Sequence, residues 1–273
     1  HPIAASTAPA AAQRLIREES ALKTRIKFSK EGNLRFVGHL DMMRYFQKAN
    51  RRAELPVAYS EGFHPHQIMS FAAPLGMGLE GKAEYFDLRI TEEGSATLHS
   101  EEAAERLNRE MAEGIRILSF LRLPDDSPNC MSIVHAADYE ILFRAVAPED
   151  KIAGQFADGS GYRSLTGDEE RSLRAAVDEL LQREEIPVQK TGKKGNLREL
   201  DLRPMIHALR CEDNRLRCTV AQGSEANLKP ELLLSALFSL DTAHPFAAMP
   251  RRVVRTELYD SAGKTLESYG TIF

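Results

Sequence analysis

The run Pro124-Asp125-Asp126-Ser127-Pro128 constrains the chain more than any other feature. Neither a helix interior nor a central strand accepts two prolines so spaced, because each removes a backbone donor and fixes φ. The run therefore divides the chain into two strings of elements, and both strings show the same order. In the first, residues 25–28 alternate as a strand, and Lys30-Glu31-Gly32-Asn33 breaks it. Residues 39–53 turn helical, with Met42, Phe46, Ala49 and Ala53 on one apolar face and Asp41 in the first turn, where the helix dipole favours it. Residues 57–59 and 68–71 read as extended around Glu61-Gly62, followed by a strand over 85–90, a helix over 101–111 and a strand over 115–121.

The second string repeats this order. A strand is expected over 137–146 and a helix over 168–183, with Leu173, Ala176, Val177 and Leu180 in a stripe. Residues 187–189 and 200–202 read as extended. Residues 206–211 and 215–221 form a hairpin through Asp213-Asn214, residues 230–240 a helix and 252–259 the last strand. Each string approximates βαββαβ. The expected fold is α+β, with two tandem ferredoxin-like halves over residues 24–123 and 132–262. Residues 1–23 precede them as a linker-like tail, rich in Ala and Pro near its start, of the kind that joins an upstream domain.

Charge is unevenly distributed. The chain carries a formal −4, yet residues 25–56 carry +5 and residues 187–210 carry +4. Two basic segments in an acidic protein are the pattern of one face that meets a polyanion. In the first segment, Arg44, Lys48, Arg51 and Arg52 share a helical face roughly opposite the apolar one, and Arg35 precedes them. Closely spaced cations suit a phosphate backbone, although such rows also occur on ordinary solvated faces. In the second, Lys190, Lys193, Lys194, Arg198 and Arg203 surround Gly192 and Gly195, which let backbone approach a ligand closely. This loop lacks the GxxxxGK[ST] pattern of a nucleotide-binding P-loop. Tyr59 and Phe63 lie beside the first segment and could stack on unpaired bases; Phe71 suits the core better.

His39, His64 and His66 are the candidates for acid–base chemistry. Pro65 biases His64 toward an extended conformation, which would point His64 and His66 to one side. Glu80, Glu84 and Asp87 are carboxylates expected to pair with the basic elements, Glu84 with an arginine of the first helix. The three cysteines, Cys130, Cys211 and Cys218, are too few for a disulfide framework and suit a reducing compartment, the cytoplasm. They also lack the CxxxCxxC spacing of a radical-SAM iron–sulfur site. No apolar run approaches the ~18 residues of a membrane-spanning helix.

The run Phe36-Val37-Gly38-His39-Leu40-Asp41, then Arg51-Arg52-Ala53, then Leu55-Pro56-Val57-Ala58-Tyr59-Ser60-Glu61-Gly62-Phe63-His64-Pro65-His66, closely resembles the radical-SAM-linked family, a domain of unknown function. The match continues through Ile68, Ser70-Phe71, Pro74-Leu75-Gly76, Gly78, Glu80 and Glu84-Tyr85, and Leu200-Asp201-Leu202-Arg203-Pro204 also fits. The resemblance implies a partner of a cobalamin-binding radical-SAM protein, fused behind it or encoded beside it. This chain has His64 where the family usually shows Asn, which counts against an indispensable catalytic role there. Together these readings lead to an RNA-binding accessory module that presents tRNA or rRNA to a radical-SAM partner. The chain itself would hold no cofactor; the iron–sulfur cluster, S-adenosylmethionine and any cobalamin would sit in the partner. The alternatives are a metal-independent endoribonuclease that uses the loop histidines and a protein-only adaptor.

Overall fold

The computed structural model describes residues 21–143, 165–191 and 197–273. The elements run β1 (Leu22–Lys30), α1 (His39–Arg52), β2 (Met69–Phe71), β3 (Glu80–Ile90), α2 (Glu92–Ser95), α3 (Ser100–Arg109) and β4 (Ile115–Arg122). They continue with α4 (Cys130–Ile133), β5 (Ala136–Phe143), α5 (Gly167–Gln182), β6 (Pro187–Thr191), β7 (Leu197–Asp201), β8 (Ile206–Glu212), β9 (Arg215–Ala221), α6 (Pro230–Phe238) and β10 (Arg251–Tyr259). The fold is α+β. An eight-stranded mixed sheet runs β4-β1-β3-β10-β5-β9-β8, with β2 beside β3; β6 and β7 form a separate hairpin.

Local chemistry explains several of these elements. Thr166 and Glu169 close a capping box at the start of α5, each bonding the other's backbone N–H. Asp213 and Asn214 adopt φ of 50° and 61°, the paired left-handed geometry of a tight hairpin between β8 and β9. The α1 stripe is buried as its spacing predicts, with Met42, Phe46 and Ala49 in the core. Phe46 meets Phe28 of β1 and Phe86 of β3 at ring-centroid distances of 4.8 Å each.

β1 alternates as expected but begins earlier, at Leu22, and is almost wholly buried. Leu22, Ile26 and Phe28 enter the N-terminal core with α1 residues. Lys23, Arg25 and Lys27 lie at the alternate positions and meet carbonyls and carboxylates. The Ser127 carbonyl accepts from the Lys23 ammonium, and the Pro128 carbonyl accepts from Arg25 Nη2 at 3.1 Å. The proline-flanked run is thus strapped across β1. Arg25 Nη1 also reaches the Leu266 carbonyl at 3.0 Å, and Lys27 pairs with Glu267 at 2.8 Å.

The two strings of elements meet along β3. Its C-terminal part, Phe86 to Leu88, pairs antiparallel with β2, while Glu80 and Gly81 pair in parallel with Val254 and Arg255 of β10. All other strand pairs are antiparallel. Two residue pairs make a short backbone ladder, and ion pairs reinforce it. Arg255 and Glu84 form a bidentate pair, with Nε at 2.8 Å from Oε1, and the Ala73 carbonyl accepts from Arg255 Nη2 at 2.7 Å. Arg252 and Arg35 both engage Glu80, at 2.8 and 3.2 Å. Tyr85 donates to Glu257 at 2.6 Å, and Glu257 also receives Lys27. Gly81 has to be glycine for this arrangement, since a Cβ there would sit 2.5 Å from Glu84 Oε1.

Glu84 therefore pairs with the last strand and not with the first helix, correcting the expectation. α1 turns Met42 and Phe46 to the sheet and leaves Arg44, Arg51 and Arg52 exposed, so its cations point away from β3.

Two outcomes follow from this packing. Glu84→Ala should destabilise the fold by about 3–5 kcal/mol, because it strands the buried Arg255 charge; urea denaturation of the variant measures this. The three cysteines are free and buried. Burial raises the thiol pKa of Cys211 to about 11 and that of Cys218 to about 12, and pushes Cys130 upward too. Unfolded thiols ionise near their ordinary value of about 8.5. Stability from these thiols is therefore complete below that pH and lost as pH rises toward the folded values. Ellman's reagent at pH 8 should leave all three unlabelled in the native protein and label all three in denaturant.

Candidate functional site

α1 and the loop that follows it gather most of the candidate residues of the first half. Loop residues 57–68 pack along the helix through Val57, which joins the core of Met42, Phe46 and Ala49, and through the buried amide of Gln67. Asn50 Nδ2 donates to Gln67 Oε1 at 2.9 Å, and Gln67 Nε2 donates to the Gln47 carbonyl at 2.9 Å. The same nitrogen lies 3.4 Å from the Tyr59 hydroxyl, so the clasp also sets the Tyr59 ring beside the helix. Backbone pairing closes the loop, with Ser60 N–H donating to His66 O at 2.8 Å and Ile68 N–H to Ala58 O at 3.0 Å. At the tip, Phe63 is fully exposed, at 102% of the reference area. The ring is therefore open to a stacking contact.

The cations of α1 divide into two groups. Arg44 pairs with Asp41 at 3.5 Å within its own helix. Arg52 pairs with Glu110 at 2.7 Å, and its Nη2 also donates to the Glu110 carbonyl at 3.2 Å. Lys48 and Arg51 are exposed and make no ion pair among the described residues. Arg35 is half-buried, engaged by Glu80 and stacked over Phe36 at 4.8 Å. The electrostatic surface offered to a ligand is therefore narrower than the charge row suggests, and Lys48 and Arg51 form its centre.

The histidines do not converge. His39 starts α1, half-buried, with its ring edge-on to Phe71 at 5.3 Å. Burial and the neighbouring Lys30 ammonium hold its pKa below the ordinary value. His64 and His66 are exposed on the loop. His66 Nδ1 lies 2.7 Å from Ser60 Oγ, which orients the ring and leaves Nε2 as its outer nitrogen. Among the described residues, no group of three or more His, Cys, Asp or Glu side chains is placed to hold a metal ion. No helix of the described residues is long and apolar enough to cross a membrane.

The second basic segment belongs to the β6–β7 hairpin. Its backbone register sets Lys190 opposite Arg198. Lys193 and Lys194 lie outside the described residues. Arg203 follows the hairpin, and its backbone N–H donates to Asp201 Oδ1 at 2.9 Å. That bond and one from Ile186 N–H hold the Asp201 carboxyl below its usual pKa.

The sequence reading missed Gln67 and Asn50, because single amides carry no periodic signal. It also missed Lys23, which lines a cavity of about 550 Å³ beside Tyr59. The alternation of Lys23 with Leu22 and Thr24 at the start of β1 was the available signal.

The chain is thus an α+β protein that exposes a cationic helix and, beside it, an aromatic loop. It belongs to a bacterial family described as "Uncharacterized protein conserved in bacteria (DUF2344)", whose family model matches residues 23–230. No curated protein matches it. Among solved structures, DyPB from Rhodococcus jostii RHA1, crystal form 2, is 7% identical over 86% of this chain and 93% of that chain. Its TM-score of 0.19 is too low for that likeness to carry an argument about the fold.

The clasp makes a testable claim about this site. Gln67→Ala should destabilise the fold by about 1–3 kcal/mol, because it leaves the buried Asn50 amide unpaired. Hydrogen exchange at the Ser60 and Ile68 amides should accelerate by more than exchange in β3.

Proposed function

We propose that this chain is an RNA-binding accessory module of a radical-SAM system, built from two ferredoxin-like halves. Two strand orders support the architecture. In the first half β4-β1-β3 carries β2 on the β3 edge, and in the second the order is β10-β5-β9-β8. Each is the 4-1-3-2 order of a split βαβ unit, with the β6–β7 hairpin inserted between α5 and β8. The radical-SAM link rests on the motif run from Phe36 to His66. That partner would carry the iron–sulfur cluster, S-adenosylmethionine and any cobalamin, and this chain would present tRNA or rRNA to it.

The observation that carries the RNA reading is the pairing of Lys48 and Arg51, cations without carboxylate partners among the described residues, with Tyr59 and Phe63 on the adjoining loop. Cations that track a backbone beside exposed rings are what single-stranded nucleic acid needs. Shape and charge there favour unpaired RNA over a duplex, whose bases would not reach the rings.

One contact favours a second reading, a metal-independent endoribonuclease. Ser60 orients His66, whose outer nitrogen could take a proton from a 2′-hydroxyl. No carboxylate completes that pair among its hydrogen bonds, which makes binding the better account.

A salt series with total cellular RNA separates these readings. Wild-type affinity should fall steeply with salt, and Lys48→Ala with Arg51→Ala should lower the log–log slope by about one to two units. Arg52→Ala should change it less, since Glu110 already neutralises that cation. Tyr59→Ala should weaken binding by about 1–3 kcal/mol with little change in slope. Cleavage without metal, lost in His66→Ala, would select the nuclease reading. No binding at low salt would leave the protein adaptor.

A further inference from the structure

The cavity of about 550 Å³ lies between the start of β1, the Tyr59 loop and α2. That volume falls in the ~300–1,000 Å³ range of small-ligand sites. Its lining is chemically divided. Tyr59, Ile68 and Met69 supply an aromatic and apolar wall, Lys23 and Arg89 supply cations, and Glu61, Glu92 and Glu93 supply carboxylates, besides Asp87, which is paired with Arg25.

Lys23 is the informative member. The residue is only 6% exposed, yet its ammonium finds a single acceptor among the described residues, the Ser127 carbonyl. An ammonium has three N–H donors. Lys23 lines the cavity, so a ligand that brings an acceptor there can take one of the remaining donors. A phosphate would do so, but Glu61, Glu92 and Glu93 outnumber Lys23 and Arg89 on the lining and disfavour an anion. A neutral nucleobase with a carbonyl beside N–H groups satisfies both sets. Adenine has no carbonyl oxygen. Guanine presents O6 and N7 as acceptors to a lysine, and its N1–H and N2 amino group to carboxylates. Guanine also carries more N–H donors on that edge than uracil or cytosine.

We propose that the cavity receives one unpaired guanine of the bound RNA, its O6 edge on Lys23, its N–H edge on Glu61 and Glu92, and its face against Tyr59. This rests on the RNA reading and adds base selectivity to it. The α1 cations grip the backbone without regard to sequence, and the cavity reads one base. Tyr59 belongs to both surfaces, because the Gln67 clasp fixes it beside α1 while its ring lines the cavity.

The test is calorimetric titration of the full chain with guanosine, adenosine, uridine and inorganic phosphate at fixed ionic strength, alongside the RNA salt series. Guanosine should saturate a single site roughly tenfold or more tighter than adenosine or uridine. Inorganic phosphate should not displace it. Lys23→Met should weaken guanosine roughly tenfold or more and leave the RNA salt slope unchanged. Because Lys23 is buried, Glu92→Gln, an exposed change on α2, serves as the second variant and should weaken guanosine several-fold. Displacement by phosphate would show an anion site and overturn the proposal. Salt-dependent RNA binding with no guanosine preference would remove the base pocket and keep the RNA reading. A guanosine site without RNA affinity would overturn the pocket as a reader of RNA.

Discussion

β3 carries two carboxylates that the rest of the molecule is arranged around. Glu84 takes the guanidinium of Arg255 from β10, and Asp87 takes that of Arg25 from β1, with Nε at 2.8 Å from Oδ1. Both arginines are 1% exposed. Buried ion pairs add little net stability over a well-packed apolar alternative, but breaking one is costly. On our reading, their contribution here is to register. A planar guanidinium fork accepts a carboxylate at one spacing, so each pair fixes where β3 lies against its neighbour. This matters most at the β3–β10 junction, where only two residue pairs join the strands.

The same economy governs the exposed elements. α1 spends its apolar face on Phe28 and Phe86, leaving a rigid polar face turned to solvent. The base of the loop beside it is joined to β3 by the Val57–Ile90 bridge and by Ala58 N–H to Arg89 O, while its outer part is held by the bridge of Tyr59 to Gln67 and by the amide clasp. A site built this way has a stiff cationic wall and a pinned aromatic wall, which suits recognition by position more than by induced rearrangement.

Much of the architecture was legible in the sequence, and the illegible parts share a cause. The helices over 39–53 and 168–183 were found to within about a residue because their stripes face one continuous core. β1 was read as four residues and extends over nine. Its charged positions look like solvent-facing ones until Ser127, Pro128, Leu266 and Glu267 are brought over them. Glu84 was paired with the wrong arginine for the same reason. Local pattern shows that a carboxylate needs a partner, but which of the distant cations arrives is a property of topology. The clasp at Gln67 and the bond of Lys23 to the Ser127 carbonyl are likewise contacts between segments apart in sequence.

Arg25 holds the carbonyl of Pro128 and the carbonyl of Leu266 with one guanidinium. The first residue of that pair follows β4, and the second follows β10. The chain between Pro128 and Leu266 is therefore an excursion whose two ends are stapled within the span of a single side chain. A force that pulls on those residues is shared between this staple and the β3–β10 junction, so the two buried guanidinium groups, Arg25 and Arg255, carry it together.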